Sequence, residues 1–326
     1  MKSFEFAEAS NKEQAVRLLS GRSAPAILAG GTDLLSLMKD DGASPDCLVS
    51  IKKIDELRGV ARRPEGGWRI GALTTIRDLR RHSELMEGFP SLAQAAEGIR
   101  SPQIQNMGTV GGDLCQRPRC WYFRNGFGLL ALQGGESMVL KGDNRYHAIL
   151  GNDGPAYFVS PSSLAPALQA LGAEIEIFGP DGVRKAAVAD FYRIPGSEEE
   201  REHRLAANEL VTAVLLPPGS PSNATYEVRQ KEALDWPLAT ASVALTWNGD
   251  RVEQASIVMG HVAPVPWGAD RAATGLKGKS LNSETAGEAA EAAVEGARPL
   301  SRNRYKVRLA KTAVRRALLL AAGVEE

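Results

Sequence analysis

The chain has 326 residues, of which 43% are hydrophobic and 24% charged, a composition typical of globular proteins with two or three domains. Its 39 basic residues balance its 39 acidic ones, so no net positive charge indicates a nucleic-acid partner. No run of about 18 apolar residues predicts a membrane span, and no signal peptide is recognisable. Three cysteines are too few for a disulfide framework, and we expect a cytoplasmic protein.

The first 55 or so residues alternate between short strand and helix patterns. Strands are predicted at residues 4–6, 26–29 and 47–51, and helices at residues 11–19 and from Leu34 onward. Such alternation favours a βαβαβ unit, in which crossover helices join parallel strands.

A glycine pair ends the second of these strands, at residues 29–33 (Ala-Gly-Gly-Thr-Asp). Glycine tolerates positive φ and lets the backbone approach a ligand, and successive N–H groups in such a turn can hold phosphate oxygens. One glycine pair is typical of any strand-ending turn. A second stretch, residues 109–113 (Thr-Val-Gly-Gly-Asp), again combines a threonine, two glycines and an aspartate. We interpret it as a second glycine turn, and two such turns indicate a ligand with two ends.

The middle of the chain predicts strands at residues 68–72, 174–178 and 211–216, and helices near residues 74–79, 91–97 and 164–171. Between residues 115 and 154 the periodicity fails, which indicates an inserted loop. A linker is predicted at residues 219–223, where glycine, proline and serine cluster.

The last hundred residues predict a hairpin around Asn248-Gly249, then two closing helices. The final helix has one apolar face, and its basic residues are assigned to a solvated face, although they could also contact a partner. These residues are Arg302, Arg304, Lys306, Arg308, Lys311, Arg315 and Arg316.

Little in the sequence predicts acid–base, nucleophilic or metal chemistry. No Gly-x-Gly-x-x-Gly motif follows a strand, so a Rossmann site is not expected. Cys115 and Cys120 have only Cys47 as a further thiol, fewer than a zinc or iron–sulfur site needs. We expect no catalytic residue and no metal ligand in this chain. The histidines are scattered and are interpreted as surface or structural residues: His82, His147, His203 and His261.

Three motifs, in order and spacing, resemble the FAD-binding medium subunit of the molybdenum hydroxylases, the family of xanthine dehydrogenase, carbon monoxide dehydrogenase and bacterial aldehyde oxidoreductases. They are residues 29–35, 70–75 and 109–113. The resemblance covers nearly the whole chain, because it continues through residues 160–168, 190–192, 208–210, 229–231, 261–264 and 305–308.

The resemblance implies an α+β fold: a two-subdomain FAD-binding domain of the vanillyl-alcohol-oxidase (PCMH) type, then a small α/β C-terminal domain. The expected domains are residues 1–222 and 223–326, the first with subdomains at about 1–56 and 57–222. The loop at about residues 115–154 is an insertion in the second subdomain.

The resemblance also implies the residues that contact FAD. The first stretch resembles the pyrophosphate cradle and the second a further FAD contact. Ser163 stands where the family often has an aspartate, and our register puts Glu227 where the family has a flavin-contacting lysine near Lys231. The expected FAD-binding residues are Ile27, Leu28, Ala29, Gly30, Gly31, Thr32, Asp33, Leu34, Leu35, Thr109, Val110, Gly111, Gly112, Asp113, Ser163 and Lys231.

The insertion differs from the corresponding loop of some relatives. Its start, residues 117–123, resembles a loop that binds a [4Fe–4S] cluster through four cysteines in those relatives. Cys120 matches the first ligand, but no cysteine follows it in the chain. We therefore expect no iron–sulfur cluster in this chain.

The function implied is that of an electron-transfer subunit. A large molybdenum-cofactor subunit and a small [2Fe–2S] subunit are the expected partners, in a heterotrimer or a dimer of heterotrimers, and export on a partner's signal stays open. FAD would receive electrons from the [2Fe–2S] subunit and pass them to an external acceptor. Two alternatives also stay open: a stand-alone FAD-dependent oxidoreductase, and a flavin-free assembly subunit with altered contacts at Ser163 and Glu227.

Overall fold

The computed structural model describes residues 1–231 and 234–324. The chain begins with the predicted parallel βαβαβ unit, whose strands lie in the order β1-β3-β2. Ala7 of β1 and Ile27 of β2 both pair with Val49 of the central β3. The elements of this unit are β1 (Glu5–Glu8), α1 (Lys12–Leu19), β2 (Pro25–Leu28), α2 (Leu34–Lys39) and β3 (Cys47–Ser50).

The next part of the chain forms an antiparallel pair of strands, followed by a series of short helices. Polar side chains cap four of these helices; for example, the side chain of Thr75 accepts from the N–H of Asp78, and that of Ser101 from the N–H of Ile104. The elements are β4 (Val60–Arg62), β5 (Trp68–Gly71), α3 (Ile76–Arg81), α4 (Ser83–Gly88), α5 (Pro90–Gly98), α6 (Pro102–Met107) and α7 (Val110–Cys115).

The predicted insertion contains short elements only. It packs on the first unit through an apolar cluster in which Phe123 and Phe158 surround Leu37 of α2. Its elements are α8 (Trp121–Arg124), β6 (Leu132–Gln133), β7 (Glu136–Ser137) and α9 (Met138–Lys141).

After the insertion the chain completes a five-stranded antiparallel sheet in the order β4-β5-β10-β8-β9. One face of this sheet packs on α3, α5 and α10 through residues such as Ile70, Ile175 and Val214. The added elements are α10 (Ala165–Ala170), β8 (Glu174–Gly179), β9 (Gly182–Ala187), α11 (Val188–Phe191) and β10 (Leu210–Leu216).

The C-terminal part forms a four-stranded antiparallel sheet in the order β11-β12-β13-β14 with helices packed on it. Its first strand begins at Ser222, so the predicted linker is shorter than expected. The predicted hairpin is confirmed: Asn248 pairs with Arg251, and Gly249 has a φ of +62°. The elements are β11 (Ser222–Val228), β12 (Ala239–Asn248), β13 (Arg251–Gly260), β14 (Trp267–Gly268), α12 (Asp270–Leu276), α13 (Ser283–Ala293) and α14 (Tyr305–Ala322).

Helix α14 buries the predicted apolar face, which includes Ala310, Val314 and Leu318. The assignment of Lys306 to the solvated face is wrong, because its side chain is only 1% exposed. The reason is tertiary: other segments of the chain cover the first turn of the helix and present carbonyl groups to this ammonium.

Candidate functional site

The first glycine stretch is an irregular turn between β2 and α2. Gly31 has a φ of +76°, a conformation that L-residues with a side chain rarely adopt. Gly30 packs against the end of α6 so closely that a Cβ there would lie 1.7 Å from the carbonyl oxygen of Met107. The two glycines therefore let this turn bend sharply and touch the segment that leads into the second glycine stretch.

The same turn carries backbone N–H groups without a partner. Among the described residues, no acceptor lies within hydrogen-bond reach of the N–H groups of Gly30, Gly31, Thr32 or Asp33. Consecutive unpaired amides of this kind are a site for an anion such as a phosphate.

The second glycine stretch is not a turn but the start of a helix, which corrects the sequence-based interpretation. The Oγ1 of Thr109 accepts from the N–H of Gly112 at 3.1 Å and so caps α7. Gly111 packs against Ala72, where a Cβ would come within 3.0 Å of the alanine side chain. Gly112 borders a cavity, and among the described residues outside its own helix backbone, the Oγ1 of Thr109 lies nearest to an added Cβ, at 3.0 Å.

The aspartate after each glycine pair binds protein groups. The carboxylate of Asp33 accepts from the N–H of Arg117 and from the guanidinium groups of Arg119 and Arg124, each at 2.7 Å. Asp33 thus ties the first turn to the insertion, although Asp33 also borders the cavity.

The carboxylate of Asp113 is more deeply buried and connects α7 to the start of α10. It accepts from the hydroxyl of Ser162, from the N–H of Ser163 at 3.3 Å and from the N–H of Leu164 at 3.0 Å. Burial raises the pKa of Asp113 against the opposing effect of these donors.

Two neighbouring cavities form a cleft beside these stretches. The smaller, of about 100 Å³, is lined by Thr32, Thr109, Gly112 and Ser163, and the larger has a volume of about 280 Å³. Their combined volume lies just above the lower end of the range for cofactor pockets, about 300 to 1,000 Å³. The two cavities adjoin each other, since five residues line both: Arg119, Arg229, Asp235, Trp236 and Pro237.

Aromatic side chains line the larger cavity, and most of the charged side chains in its wall are basic. The guanidinium of Arg119 lies 4.3 Å from the ring centroid of Trp236, and burial lowers the pKa of Arg119 to about 10. Among the described residues, Asp235 is the one carboxylate in this wall. The aromatic and basic residues that line it are Trp121, Tyr146, His147, Phe158, Trp236 and His261, with Arg119, Arg229, Lys231 and Lys306.

The Nε of Arg119 is a buried polar atom in this wall and has no hydrogen-bond partner within the part of the chain that the structure describes. The two histidine rings differ, because the backbone carbonyl groups of Asn144 and Pro161 act as acceptors toward His147 and His261, respectively. Since buried polar atoms in folded proteins are rarely unpaired, the Nε of Arg119 indicates that the cavity holds a ligand with polar groups.

The sequence-predicted FAD-binding residues divide into two groups. Thr32, Asp33, Thr109, Gly112, Asp113 and Ser163 line the smaller cavity, and Lys231 lines the larger. The others border neither cavity, and most of their side chains pack inside the fold: Ile27, Leu28, Ala29, Gly30, Gly31, Leu34, Leu35, Val110 and Gly111.

Glu227, which our register aligned with a flavin-contacting lysine, lines neither cavity. Its carboxylate accepts from the guanidinium of Arg229 at 2.6 Å and lies against Gly98, where a Cβ would be 2.4 Å from it. Burial raises the pKa of Glu227, opposed by Arg229. This carboxylate joins β11 to the end of α5.

Sequence reasoning missed several residues of the larger cavity. The Sγ of Cys120 lies 3.2 Å from the Nε2 of His147, although 27 positions separate them in the chain. Burial raises the pKa of Cys120 and lowers that of His147 to about 4, so both side chains are neutral near pH 7. The one sequence signal for Trp121 and Tyr146 was the density of aromatic residues in a segment without periodicity.

The described residues show neither a metal site nor a membrane-spanning helix. Within residues 1–231 and 234–324, no group of three or more His, Cys, Asp or Glu side chains could hold a metal ion. The cysteines at positions 47, 115 and 120 are free thiols. No helix in the same residues is long and apolar enough to cross a membrane.

Comparison with known proteins gives matches over nearly the entire chain. Residues 2–219 match the FAD binding domain in molybdopterin dehydrogenase, and residues 224–321 match the CO dehydrogenase flavoprotein C-terminal domain. The chain is 31% identical to the aldehyde oxidoreductase FAD-binding subunit PaoB of Escherichia coli, over 95% of this chain and 96% of that protein. It is 30% identical to the carbon monoxide dehydrogenase medium chain of Afipia carboxidovorans, over 97% and 96% of the two chains.

A solved structure agrees with these matches. The carbon monoxide dehydrogenase of Hydrogenophaga pseudoflava, in a form that lacks the Mo-pyranopterin moiety, aligns with a TM-score of 0.77 and 28% identity. The alignment covers 99% of this chain and 98% of that one. The chain therefore belongs to the family of FAD-binding domains in molybdopterin dehydrogenases.

Proposed function

We propose that this chain is the FAD-binding electron-transfer subunit of a multi-subunit molybdenum hydroxylase. The observation that carries the proposal is the cleft: two glycine stretches about 80 positions apart border one of two adjoining cavities, in a chain whose family binds FAD. A dinucleotide needs such a cleft, because its pyrophosphate and its two ring systems are bound together.

Features of the smaller cavity fit the pyrophosphate of FAD. The unpaired amides of Thr32 and Asp33, which line this cavity, and those of Gly30 and Gly31 just before them supply hydrogen-bond donors for an anion. The absence of a side chain at Gly112 leaves room for a ligand next to the cap of α7. We propose the backbone of residues 27–35 and 109–113, together with Ser163, as the part of the site that would hold this end of FAD.

Features of the larger cavity fit an aromatic ring system with polar edges. Trp121, Tyr146 and Trp236 offer flat apolar surfaces, and the unpaired Nε of Arg119 offers a polar contact. Lys231 lies at the exposed side of this cavity and would add a positive charge there.

Bound FAD would supply the redox chemistry, because flavins accept and release electrons singly or in pairs. The chain would bind and orient it. The buried aromatic wall would exclude water, and the arginines and lysines would set the local electrostatic potential. The absence of an acid–base pair in the sequence agrees with this role, since the substrate would be oxidised in another subunit.

The partners and domain limits follow from the same proposal. We propose a large molybdenum-cofactor subunit and a small [2Fe–2S] subunit as partners, because the medium chains of carbon monoxide dehydrogenases are similar to this chain over nearly its full length. We also propose a FAD-binding domain of the PCMH type at residues 1–222, a C-terminal domain at residues 223–326 and a cytoplasmic location.

An absorbance spectrum of the purified chain, with iron analysis on the same sample, tests the proposal. We expect the two flavin bands, one flavin per chain and no stoichiometric iron. A colourless chain that FAD cannot reconstitute would contradict the proposal and favour the assembly subunit. Bound iron would contradict the expectation for the insertion.

Purification from the native host separates the remaining alternatives. We expect the chain to co-purify with a molybdenum-containing chain and an iron–sulfur chain. A chain that is isolated alone and oxidises a substrate with FAD would be a stand-alone oxidoreductase instead.

A further inference from the structure

Lys306 is a buried cation in the wall of the larger cavity. It lies in the first turn of α14, and its side chain is 1% exposed. A buried lysine is uncommon unless it is paired, because taking the ammonium out of water is costly. The groups around Lys306 must therefore compensate for this cost.

The ammonium of Lys306 is held by three backbone carbonyl groups. It donates to the oxygen of Tyr146 at 3.2 Å, to that of His147 at 3.1 Å and to that of His261 at 2.7 Å. An ammonium has three N–H donors, whereas a neutral amine has two donors and a lone pair. Three acceptors at hydrogen-bond distance therefore match the protonated form.

No carboxylate neutralises this charge among the described residues. Burial is the cause that lowers the pKa of Lys306, to about 7, and no acidic neighbour acts in the opposite direction. The other side chains of the cavity do not compensate, since Arg119, Arg229 and Lys231 are also basic and Asp235 lies at the exposed edge.

The three carbonyl groups belong to residues whose own side chains line the same cavity. Tyr146 and His147 come from the insertion, and His261 follows β13. Lys306 thus fastens two distant segments to the start of α14 and sets the shape of the cavity. The nearby ammonium also contributes to lowering the pKa of His147, to about 4, and of His261, to about 3, after the larger effect of burial.

We propose that Lys306 is a positioning residue that assembles the larger cavity and keeps a positive charge in its wall, so that the bound flavin is easier to reduce. This inference rests on the proposed function, because it requires that the cavity hold the flavin ring. A fixed positive charge in a poorly solvated site acts over several ångströms and favours the more electron-rich state of a neighbouring group.

The test replaces Lys306 with methionine, which keeps most of the side-chain volume and removes the charge. The readout is the flavin midpoint potential of the purified full chain, measured by spectroelectrochemistry at pH 6. We expect at least a tenfold loss of the preference for reduced over oxidised flavin, which lowers a two-electron potential by about 30 mV. Lys311→Met is the matched control, since it removes a charge from the same helix where the side chain pairs with Glu291 at the surface.

If Lys306 had only a structural role, its replacement would change the stability of the protein and not the flavin potential. Lys306→Met would then lower the melting temperature while the flavin potential stayed equal to that of the wild type, and this result would overturn the proposal. Lys306→Arg keeps the charge, and we expect its potential to lie closer to that of the wild type than to that of Lys306→Met.

A measurement on the wild-type chain keeps the proposal testable if these variants do not fold. Ligand coupling is reciprocal, so a charge that favours reduction must itself be stabilised by reduction. In ¹⁵N-lysine NMR, we expect reduction of the flavin to raise the pH at which the buried ammonium loses its proton. An unchanged titration would contradict the proposal.

The proposed function and the role of Lys306 can fail separately. If the wild-type chain cannot bind FAD, the proposed function fails. If the wild type binds FAD and Lys306→Met has the same potential, the role of Lys306 alone fails.

Discussion

The two glycine stretches have nearly the same composition but adopt different backbone conformations. At residues 29–33 the glycines allow a sharp turn, with positive φ at Gly31 and a close approach of Gly30 to the carbonyl of Met107. At residues 109–113 the glycines are helical, and Gly111 lets α7 pack against Ala72. A shared motif therefore does not mean a shared conformation. What the stretches have in common is that both border the cleft.

The aspartates of the two stretches also differ, in their burial and in their partners. Asp33 is partly exposed and pairs with arginines of the insertion, whereas Asp113 is buried and binds a hydroxyl and two amides near α10. The first aspartate attaches a variable segment to the site. The second holds together two elements of the main core.

The largest effect is expected for Gly30→Ala. The added Cβ would lie 1.7 Å from a backbone oxygen, so the turn must move away from α6. We expect a loss of about 4 kcal/mol in the free energy of unfolding, or failure to fold, together with loss of flavin. Urea denaturation and the flavin-to-protein ratio measure both effects.

Gly275→Ala in α12 is the matched control, because its added Cβ would meet no described residue within 4 Å apart from its chain neighbours and its own helix backbone. It should keep its flavin and its stability. A Gly30→Ala protein that folds and binds flavin normally would show that the close contact of the two segments is not required.

The next largest effect is expected for Asp113→Ala compared with Asp33→Ala. Removing the carboxylate of Asp113 leaves buried donors unpaired and should cost about 3 kcal/mol, whereas losing the less deeply buried ion pairs of Asp33 should cost about 1 to 2 kcal/mol. Chemical denaturation of both variants gives the comparison, with exposed Asp55→Ala as the control. Equal losses at both positions would contradict the distinction between them.

A smaller effect is expected for Gly31→Ala. The residue must keep a φ of +76°, and the added Cβ would come within 3.0 to 3.3 Å of the side chains of Leu28 and Leu35. We expect a destabilisation of about 1 to 2 kcal/mol in thermal unfolding, because alanine disfavours this backbone region. Gly111→Ala has no such backbone strain, so any loss there should come from contact with Ala72 alone.

The smallest effect on stability is expected for Gly112→Ala, which nevertheless should affect binding. Alanine is favoured over glycine in a helix by roughly 0.5 to 1 kcal/mol, which should offset the tight 3.0 Å contact of the added Cβ with the Oγ1 of Thr109. The methyl group would enter the smaller cavity, and we expect flavin affinity to fall about tenfold, or about 1.4 kcal/mol.

Gly287→Ala in α13 tests whether this loss is local. It offers the same helical gain, its added Cβ would meet no described residue within 4 Å beyond its own helix backbone, and it lies outside both cavities. Fluorescence titration of the flavin-free proteins should separate the two variants. Unchanged affinity in Gly112→Ala would indicate that the flavin does not use the smaller cavity.

The sequence by itself determined the features that depend on local pattern. The parallel unit of β1, β2 and β3 follows from strand–helix alternation, and the hairpin at Gly249 follows from the Asn-Gly preference for positive φ. Both glycine stretches could be found because glycine is needed wherever backbone approaches backbone or ligand. The family resemblance added the cofactor, which no local pattern specifies.

Tertiary structure alone decided which of these residues meet. Helical periodicity assigned Lys306 to the solvated side of α14, but carbonyl groups at positions 146 and 147, some 160 residues away, enclose it. Likewise Cys120 contacts His147, and Asp33 pairs with Arg124, only because the insertion folds back onto the cleft. Burial and pairing are properties of the packed chain, since a side chain's electrostatic environment comes from segments that are distant in sequence.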